Sequence, residues 1–330
     1  MAHFNFPRMP LWRVCLLLLA LTAAVRGEAG ERLILANAPA FMTGLVTIAQ
    51  ARGLLAASGL EVDLRTHPTG DEALLTVENG SAEVAAVAET AFTLHLFAHP
   101  ELRALALIGG WDNDVRILAR RDAGIQTPGD LRGKRIGTQG RLSTHFFLDQ
   151  FLLKHGLTLQ DITPVFAKAP QLADALVAGE VDAISMRDPF VSQAQARLGP
   201  KAVMFEEPGL YDKVFLLAAR EETVRTRGAA IERLLEALIQ AERFVAAAPD
   251  QARELLRQAQ PEAWAELQRA WPGLRLRVWL DHRFILTLEN VADWANRHHL
   301  VESPTTPNFL HNIDPGPLRR LRPIAVNLLD

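Results

Sequence analysis

Three polar residues, Ser143, Thr144 and His145, stand where a short apolar segment at residues 135–138 gives way to a run with helical spacing. A serine or threonine at a helix start supplies the side-chain oxygen that an N-cap needs, and the peptide N–H groups behind it point outward unpaired. Such a helix start is a ready site for an anion. We therefore expect Ser143 and Thr144 either to contact a carboxylate, sulfonate or similar group, or only to cap their own helix.

Two carboxylates follow equivalent strands in two similar stretches of the chain, Glu89 after residues 83–88 and Asp188 after residues 181–185. If those strands end at one crevice, the two carboxylates face each other and could take up an ammonium or amidine group. The alternative is that each carboxylate caps the helix that follows it. Together with the helix start at Ser143, the first arrangement suits a zwitterion or a nitrogen heterocycle better than a simple inorganic anion.

Other side chains offer weaker chemistry. Phe41 and Trp111 could stack on a ligand or pack in the core. His95 and His99 lie four residues apart on a predicted helix, a spacing that can bind a metal ion, but the sequence shows no third ligand. It contains neither a nucleophile-elbow sequence nor a Walker or Rossmann glycine fingerprint. We therefore expect no metal, no cofactor and no catalytic group.

These residues belong to two stretches that share one order of elements: strand, helix, strand, helix, strand. The first covers residues 32–88 and the second residues 135–185. Alternating elements of this kind predict an α/β fold with mostly parallel sheets, and open sheets of that type bind ligands beyond the carboxyl ends of their strands. The sequence therefore predicts two lobes that face each other across a cleft.

The chain is predicted to cross between the lobes twice. On this interpretation residues 31–112 and 221–330 form lobe 1, and residues 113–220 form lobe 2. Two crossings make a paired hinge, which favours a closing motion over free tumbling of the lobes. The helical region after residue 220 is expected to brace the lobes and to contribute no chemistry.

Composition fits a globular chain, with 330 residues of which 49% are hydrophobic and 22% charged. Arg8 and Arg13 precede an uncharged run at residues 14–25, which predicts a cleaved secretory signal at residues 1–29, or alternatively an uncleaved anchor or a buried helix. Removing the signal takes the formal net charge from −3 to −5, so nucleic acid is not expected as a partner. Cys15, the single cysteine, lies in that run, which leaves no disulfide in the mature chain.

Several motifs then occur in a recognisable order: TPGDLRGKRIG at residues 127–137, a helix led by serine and threonine, AGEVDA at residues 178–183 and DPF at residues 188–190. This order resembles the periplasmic solute-binding components of ABC importers of the nitrate, sulfonate and taurine type, which share their fold with thiamine-pyrimidine-precursor binders. The resemblance covers residues 31–330. It implies a type II periplasmic-binding-protein fold, with two lobes, each a mostly parallel sheet flanked by helices, joined by a two-strand hinge.

The resemblance also implies a function. We expect a monomeric periplasmic protein that captures a small polar organic solute, such as a sulfonate, a taurine-like zwitterion or a nitrogen heterocycle, and delivers it to ABC permease and ATPase subunits at the inner membrane. The alternatives are a small-molecule lyase with Glu89 or Asp188 as general base, or an exported ligand sensor subunit. The ligand contacts expected from both lines of reasoning are Pro39, Phe41, Glu89, Thr90, Trp111, Gln139, Ser143, Thr144, His145 and Asp188.

Overall fold

The computed structural model describes residues 30–302 and 305–328, so the predicted signal at residues 1–29 lies outside the described residues. Ten of its twelve strands form two five-stranded sheets, and the other two form a short ladder. The strands are β1 (Glu31–Asn37), β2 (Leu60–Thr66), β3 (Val84–Ala88), β4 (Leu102–Trp111), β5 (Val115–Arg120), β6 (Arg135–Thr138), β7 (Thr163–Phe166), β8 (Ala183–Arg187), β9 (Ala202–Phe205), β10 (Lys213–Arg220), β11 (Leu280–Asp281) and β12 (Val326–Asn327).

Helices cover the sheets, as expected when a parallel sheet needs crossover connections. Amphipathic spacing explains the longest helix, in which Ile231, Leu234, Leu235 and Leu238 form one buried stripe. The α-helices are α1 (Gly44–Ala51), α2 (Leu54–Ala57), α3 (Gly70–Glu78), α4 (Glu89–Leu96), α5 (Ser143–Lys154), α6 (Ala169–Ala178), α7 (Phe190–Leu198), α8 (Glu221–Thr226), α9 (Gly228–Ala247), α10 (Pro249–Ala259), α11 (Trp264–Ala270), α12 (Arg283–Arg297) and α13 (Gly316–Leu321).

Both sheets have the same internal arrangement. The first has the strand order β2-β1-β3-β10-β4, and the second has the order β7-β6-β8-β5-β9. In each sheet the first three strands are parallel, and the fourth runs antiparallel to both of its neighbours. The predicted α/β fold with two mostly parallel sheets is therefore confirmed. No helix of residues 30–302 and 305–328 is long and apolar enough to cross a membrane.

Strand β10 lies in the first sheet, which corrects the predicted lobe boundary at residue 220. Phe215 of β10 pairs with Ala88 of β3 on one side and with Gly109 of β4 on the other. The chain therefore returns to lobe 1 within residues 206–212. Strand β10 is apolar and buried along nearly its whole length, a pattern that fits a central strand of either sheet. The sequence alone could not decide between them.

Helix α12 packs against the cores of both lobes, whereas the sequence analysis assigned it to lobe 1 alone. Phe284 and Leu288 in its first half belong to the core of lobe 1, while Val291 and Trp294 in its second half belong to the core of lobe 2. Just beyond the helix, Nε2 of His298 lies 2.9 Å from the Asp149 carboxylate on α5. The C-terminal region thus joins the lobes by direct packing, in addition to the two chain crossings that connect them covalently.

Candidate functional site

A cavity of about 140 Å³ lies between the lobes. Its walls come from the segments that follow β1 and β3 in lobe 1 and β6 and β8 in lobe 2, which is where open α/β sheets bind ligands. Three of the ten residues expected to contact the ligand, Glu89, His145 and Asp188, do not line it. The seven that do are Pro39, Phe41, Thr90, Trp111, Gln139, Ser143 and Thr144.

The start of α5 forms the lobe 2 wall of the cavity. Leu142 occupies the N-cap position and makes no side-chain capping bond, so the expectation that Ser143 or Thr144 caps the helix is wrong. Ser143 is only 8% exposed, and its hydroxyl has no hydrogen-bond partner among the described residues. The Oγ1 of Thr144 donates a long hydrogen bond of 3.5 Å to the Gln139 carbonyl. The helix start therefore presents free donors to the cavity.

The lobe 1 wall combines aromatic side chains with a close backbone approach. Phe41 and Trp111 belong to the core of lobe 1 and also line the cavity, so the core packing is confirmed and stacking on a ligand stays a prediction. Gly109 of β4 is required beneath this wall, because a Cβ atom there would lie 1.9 Å from the carbonyl oxygen of Met42. The absence of a side chain lets the loop that carries Phe41 rest directly on the sheet.

Glu89 is fully buried behind the cavity wall rather than exposed in the cleft. Its carboxylate accepts hydrogen bonds from the Tyr211 hydroxyl, from Thr90 Oγ1 at 2.8 Å and from the Val214 backbone N–H at 3.0 Å. Burial raises the pKa of Glu89, and these hydrogen bonds only partly offset it. With its oxygens engaged inside the protein, Glu89 holds Thr90 and Tyr211 in position and is not available to a cationic ligand.

Asp188 is also engaged inside the protein, being 1% exposed. Arg116 of β5 donates to it at 2.6 Å, Arg269 of α11 donates to the same oxygen, and Ser192 of α7 donates to the other oxygen through its N–H at 2.9 Å. Burial alone would raise the pKa of Asp188, but Arg116 and these hydrogen bonds outweigh it and lower the pKa. Asp188 therefore caps helix α7, which is the second of the two roles considered for it. Arg269 belongs to lobe 1, so its ion pair with Asp188 joins the two lobes.

His145 points away from the cavity into an aromatic cluster. Its ring lies edge-on to Phe166 and Trp294, with centroid distances of 5.0 and 5.1 Å. Burial lowers the pKa of His145 to about 4, so the ring is neutral near pH 7. The expected ligand contact is replaced by a structural one, because the residue after Thr144 lies on the buried face of α5.

Several charged residues that the sequence analysis missed do line the cavity. Lys213 and Asp114 form a buried ion pair of 2.6 Å that joins the two chain crossings. Arg187 ends β8 and lines the cavity, and its one hydrogen bond to a described residue goes to the Asp188 carbonyl at 3.3 Å. Glu266 of α11 also lines the cavity. Alternation along β8 could have indicated Arg187, because neighbouring residues of a strand point to opposite faces, but α11 offered no comparable signal for Glu266.

The two histidines with metal-binding spacing are part of a carboxylate network outside the cavity. His95 Nδ1 lies 2.5 Å from Glu78 Oε1, and His99 Nε2 lies 3.4 Å from the other oxygen of Glu78. Among residues 30–302 and 305–328, no group of three or more histidine, cysteine, aspartate or glutamate side chains is arranged to hold a metal ion.

Two matching sheets that face a shared cavity across paired crossings define the periplasmic-binding-protein fold. Residues 42–252 match the model of the NMT1/THI5-like family, and the chain belongs to that family. A binding protein of Brucella abortus (strain 2308) is 25% identical over 212 residues, which cover 63% of this chain and 65% of that protein. The chain thus matches just under two thirds of the length of this curated relative.

Solved structures share the fold. The alkanesulfonate-binding protein SsuA from Xanthomonas axonopodis pv. citri, bound to MOPS, has a TM-score of 0.72 and 20% identity, covering 87% of this chain and 99% of that one. The desulfurization enzyme DSZB has a TM-score of 0.63 and 19% identity, covering 88% of this chain and 100% of that one. At these identities the likeness shows the fold alone, and it includes both a binding protein and an enzyme.

Proposed function

We propose that the protein is the periplasmic solute-binding component of an ABC importer and that it captures a small organic solute through an anionic group. The observation that carries the proposal is the start of α5, where Ser143, a residue that is only 8% exposed, lines the cavity and its hydroxyl has no hydrogen-bond partner among the described residues. The partial positive charge of a helix start and its free N–H groups favour an anion there. The alkanesulfonate-binding protein that shares the fold supports a sulfonate as that anionic group.

The cavity volume limits the size of the solute. An apolar cavity of about 150 Å³ holds one benzene molecule, so about 140 Å³ suits a solute of comparable bulk. A charge-assisted hydrogen bond contributes about 1.5–3 kcal/mol, whereas micromolar affinity requires about 8 kcal/mol. One helix start is therefore insufficient, and donors from Gln139, Arg187 and the lobe 1 wall must contribute when the lobes enclose the solute.

Isothermal titration calorimetry tests the proposal with ethanesulfonate, propionate and nitrate as probes. We expect either organic anion to bind more tightly than nitrate, and Ser143→Ala to weaken that binding by about 10-fold, the equivalent of one charge-assisted hydrogen bond. Ser81→Ala removes a hydroxyl remote from the cavity and serves as the matched control. Tight nitrate binding with no heat from the organic anions would refute the proposed solute class.

An enzyme on the same scaffold is the second candidate, since DSZB shares the fold. The lyase considered from the sequence needs Glu89 or Asp188 as a general base, yet Glu89 is hydrogen-bonded to Tyr211 and Asp188 is paired with two arginines. This engagement favours binding without chemistry. Mass spectrometry of each probe after prolonged incubation with the protein distinguishes the two, because a binding protein returns the probe unchanged.

A further inference from the structure

Glu266 is a carboxylate in the cavity that no basic residue neutralises. It lies on α11, partly buried, and it has neither a hydrogen bond nor an ion pair with any described residue. The two buried aspartates nearest the cavity differ from it in this respect. Asp114 is paired with Lys213, and Asp188 is paired with Arg116 and Arg269.

The surroundings of Glu266 make its ionised form costly. Burial is the main cause that raises the pKa of Glu266 to about 7, and the negative charges of Asp114 and Asp188 raise it further. Arg187 and Arg269 act in the opposite direction without pairing with it. Glu262, which also lines the cavity, is exposed to solvent. A cation held in the cavity would remove the cost of burying the Glu266 charge, because buried charges require a partner.

Other groups in the cavity wall have the complementary property. The start of α5 and the guanidinium of Arg187 offer positive potential with no carboxylate of the described chain bound to them. A solute with only an anionic group would therefore leave Glu266 without a partner, whereas a solute that carries both charges would satisfy Glu266 and the start of α5.

We propose that Glu266 is the cation-recognising residue of the cleft, so that the solute is a small zwitterion with its anionic group at the start of α5 and an ammonium or amidinium group at Glu266. This inference rests on the proposed function and names the solute class more narrowly. Helix α11 also carries Arg269, which bridges to Asp188 of lobe 2. The residue that recognises the cation therefore lies one helical turn from the ion pair that joins the lobes.

Calorimetry with a matched pair of probes, 2-aminoethanesulfonate and ethanesulfonate, tests the inference. The two differ by one ammonium group, so we expect wild type at about pH 8 to bind the amine-bearing probe about 10-fold to 100-fold more tightly, as one charge-assisted hydrogen bond allows. Glu266→Gln should abolish that preference. Glu236→Gln makes the same change at an exposed position of α9, outside the cavity, and should retain it.

The response to pH provides a second readout that a merely structural role would not produce. Between about pH 6 and about pH 8 the Glu266 carboxylate becomes ionised, so wild-type affinity for 2-aminoethanesulfonate should rise by about 10-fold. Affinity for ethanesulfonate should not rise, and Glu266→Gln should lose the dependence. Equal binding of the two probes by wild type overturns the cation site alone. Absence of binding by either probe overturns the proposed function and this inference together.

Discussion

Helices α3 and α4 of lobe 1 begin differently from helix α5 of lobe 2, although residues at the start of all three line the cavity. In lobe 1, Asp71 and Glu72 occupy the first turn of α3 behind the N-cap Thr69, and Glu89 begins α4. In lobe 2, α5 begins at Ser143 with no acidic residue in its first turn. Carboxylates at a helix start compensate its partial positive charge. Helices α3 and α4 thus carry their own anions, whereas α5 leaves its start for an anion from outside.

The two lobes also differ in the carboxylate partners of a buried histidine, and therefore in the pKa of that histidine. Burial lowers the pKa of His95, but hydrogen bonds with Asp71 and Glu78 outweigh it and raise the pKa to about 9. His145 at the start of α5 has no carboxylate partner, and burial lowers its pKa to about 4. The start of α5 has no acidic residue and therefore suits a solute anion. For the same reason the buried His145 has no carboxylate to stabilise its charged form, and it stays neutral.

The largest expected effect comes from Asp188, a carboxylate that ties a helix start of lobe 2 to lobe 1. Asp188→Ala should lower the free energy of unfolding by about 3 kcal/mol, because it removes the buried partner of Arg116 and leaves that side chain paired with the more exposed Glu206. Urea denaturation without solute measures this. Asp174→Ala removes a surface ion pair with Arg197 and should cost no more than about 1 kcal/mol. Equal stability of the two variants would show that Asp188 is not a structural ion-pair partner.

The opposite pKa shifts of His145 and His95 predict that the two residues contribute to stability in different pH ranges. The folded-state pKa of His145 is depressed, so its contribution to stability is present above pH 6.5 and is lost as the pH falls through about 4, by about 3 kcal/mol. The folded-state pKa of His95 is raised, so its contribution is present below pH 6.5 and is lost as the pH rises through about 9.

Single variants separate the contribution of each histidine to the pH dependence of stability from the titration of other groups. Relative to wild type, His145→Phe should lose less stability on acidification, and His95→Gln should lose less on alkalinisation. Urea denaturation at a series of pH values measures both differences. The contrast between the lobes would be wrong if both variants changed the same window.

Ser143→Asp gives α5 an acidic residue in its first turn, as α3 has. It should produce the smallest change in the free energy of unfolding. The new carboxylate should occupy the helix start, and anion affinity should fall by about 10-fold or more. Thermal stability without solute should stay the same or rise, because an acidic residue in the first turn stabilises a helix by about 0.3–1 kcal/mol. Calorimetry measures the change in affinity, and thermal denaturation measures the change in stability. Unchanged affinity for ethanesulfonate would mean that the anion binds elsewhere.

The fold could be predicted from local patterns wherever strands and helices alternate. Strands β1–β3 and β6–β8 follow from that alternation, and the two sheets follow from its repetition. Two features depend on distant contacts and could not be predicted. Strand β10 has the continuous burial of a central strand in either sheet. Helix α12 has buried residues that divide between two cores, while its own periodicity shows only one apolar face.

The cavity wall could be predicted in part from local patterns. A helix that begins near Ser143 follows from the spacing of apolar residues, although its N-cap is Leu142, and seven of the expected contact residues line the cavity. The roles of Glu89 and Asp188 could not be predicted, because their partners Tyr211 and Arg269 lie 122 and 81 residues away in the chain. A carboxylate at a strand end looks the same in a sequence whether it faces a solute or a buried hydroxyl.

Helix α12, with Phe284 packed in one core and Trp294 in the other, restricts how the cleft can open. A rotation about a distant line would pull one of these aromatic side chains out of its core, at a cost of about 3–5 kcal/mol if the contact were lost entirely. The rotation axis must therefore pass close to α12.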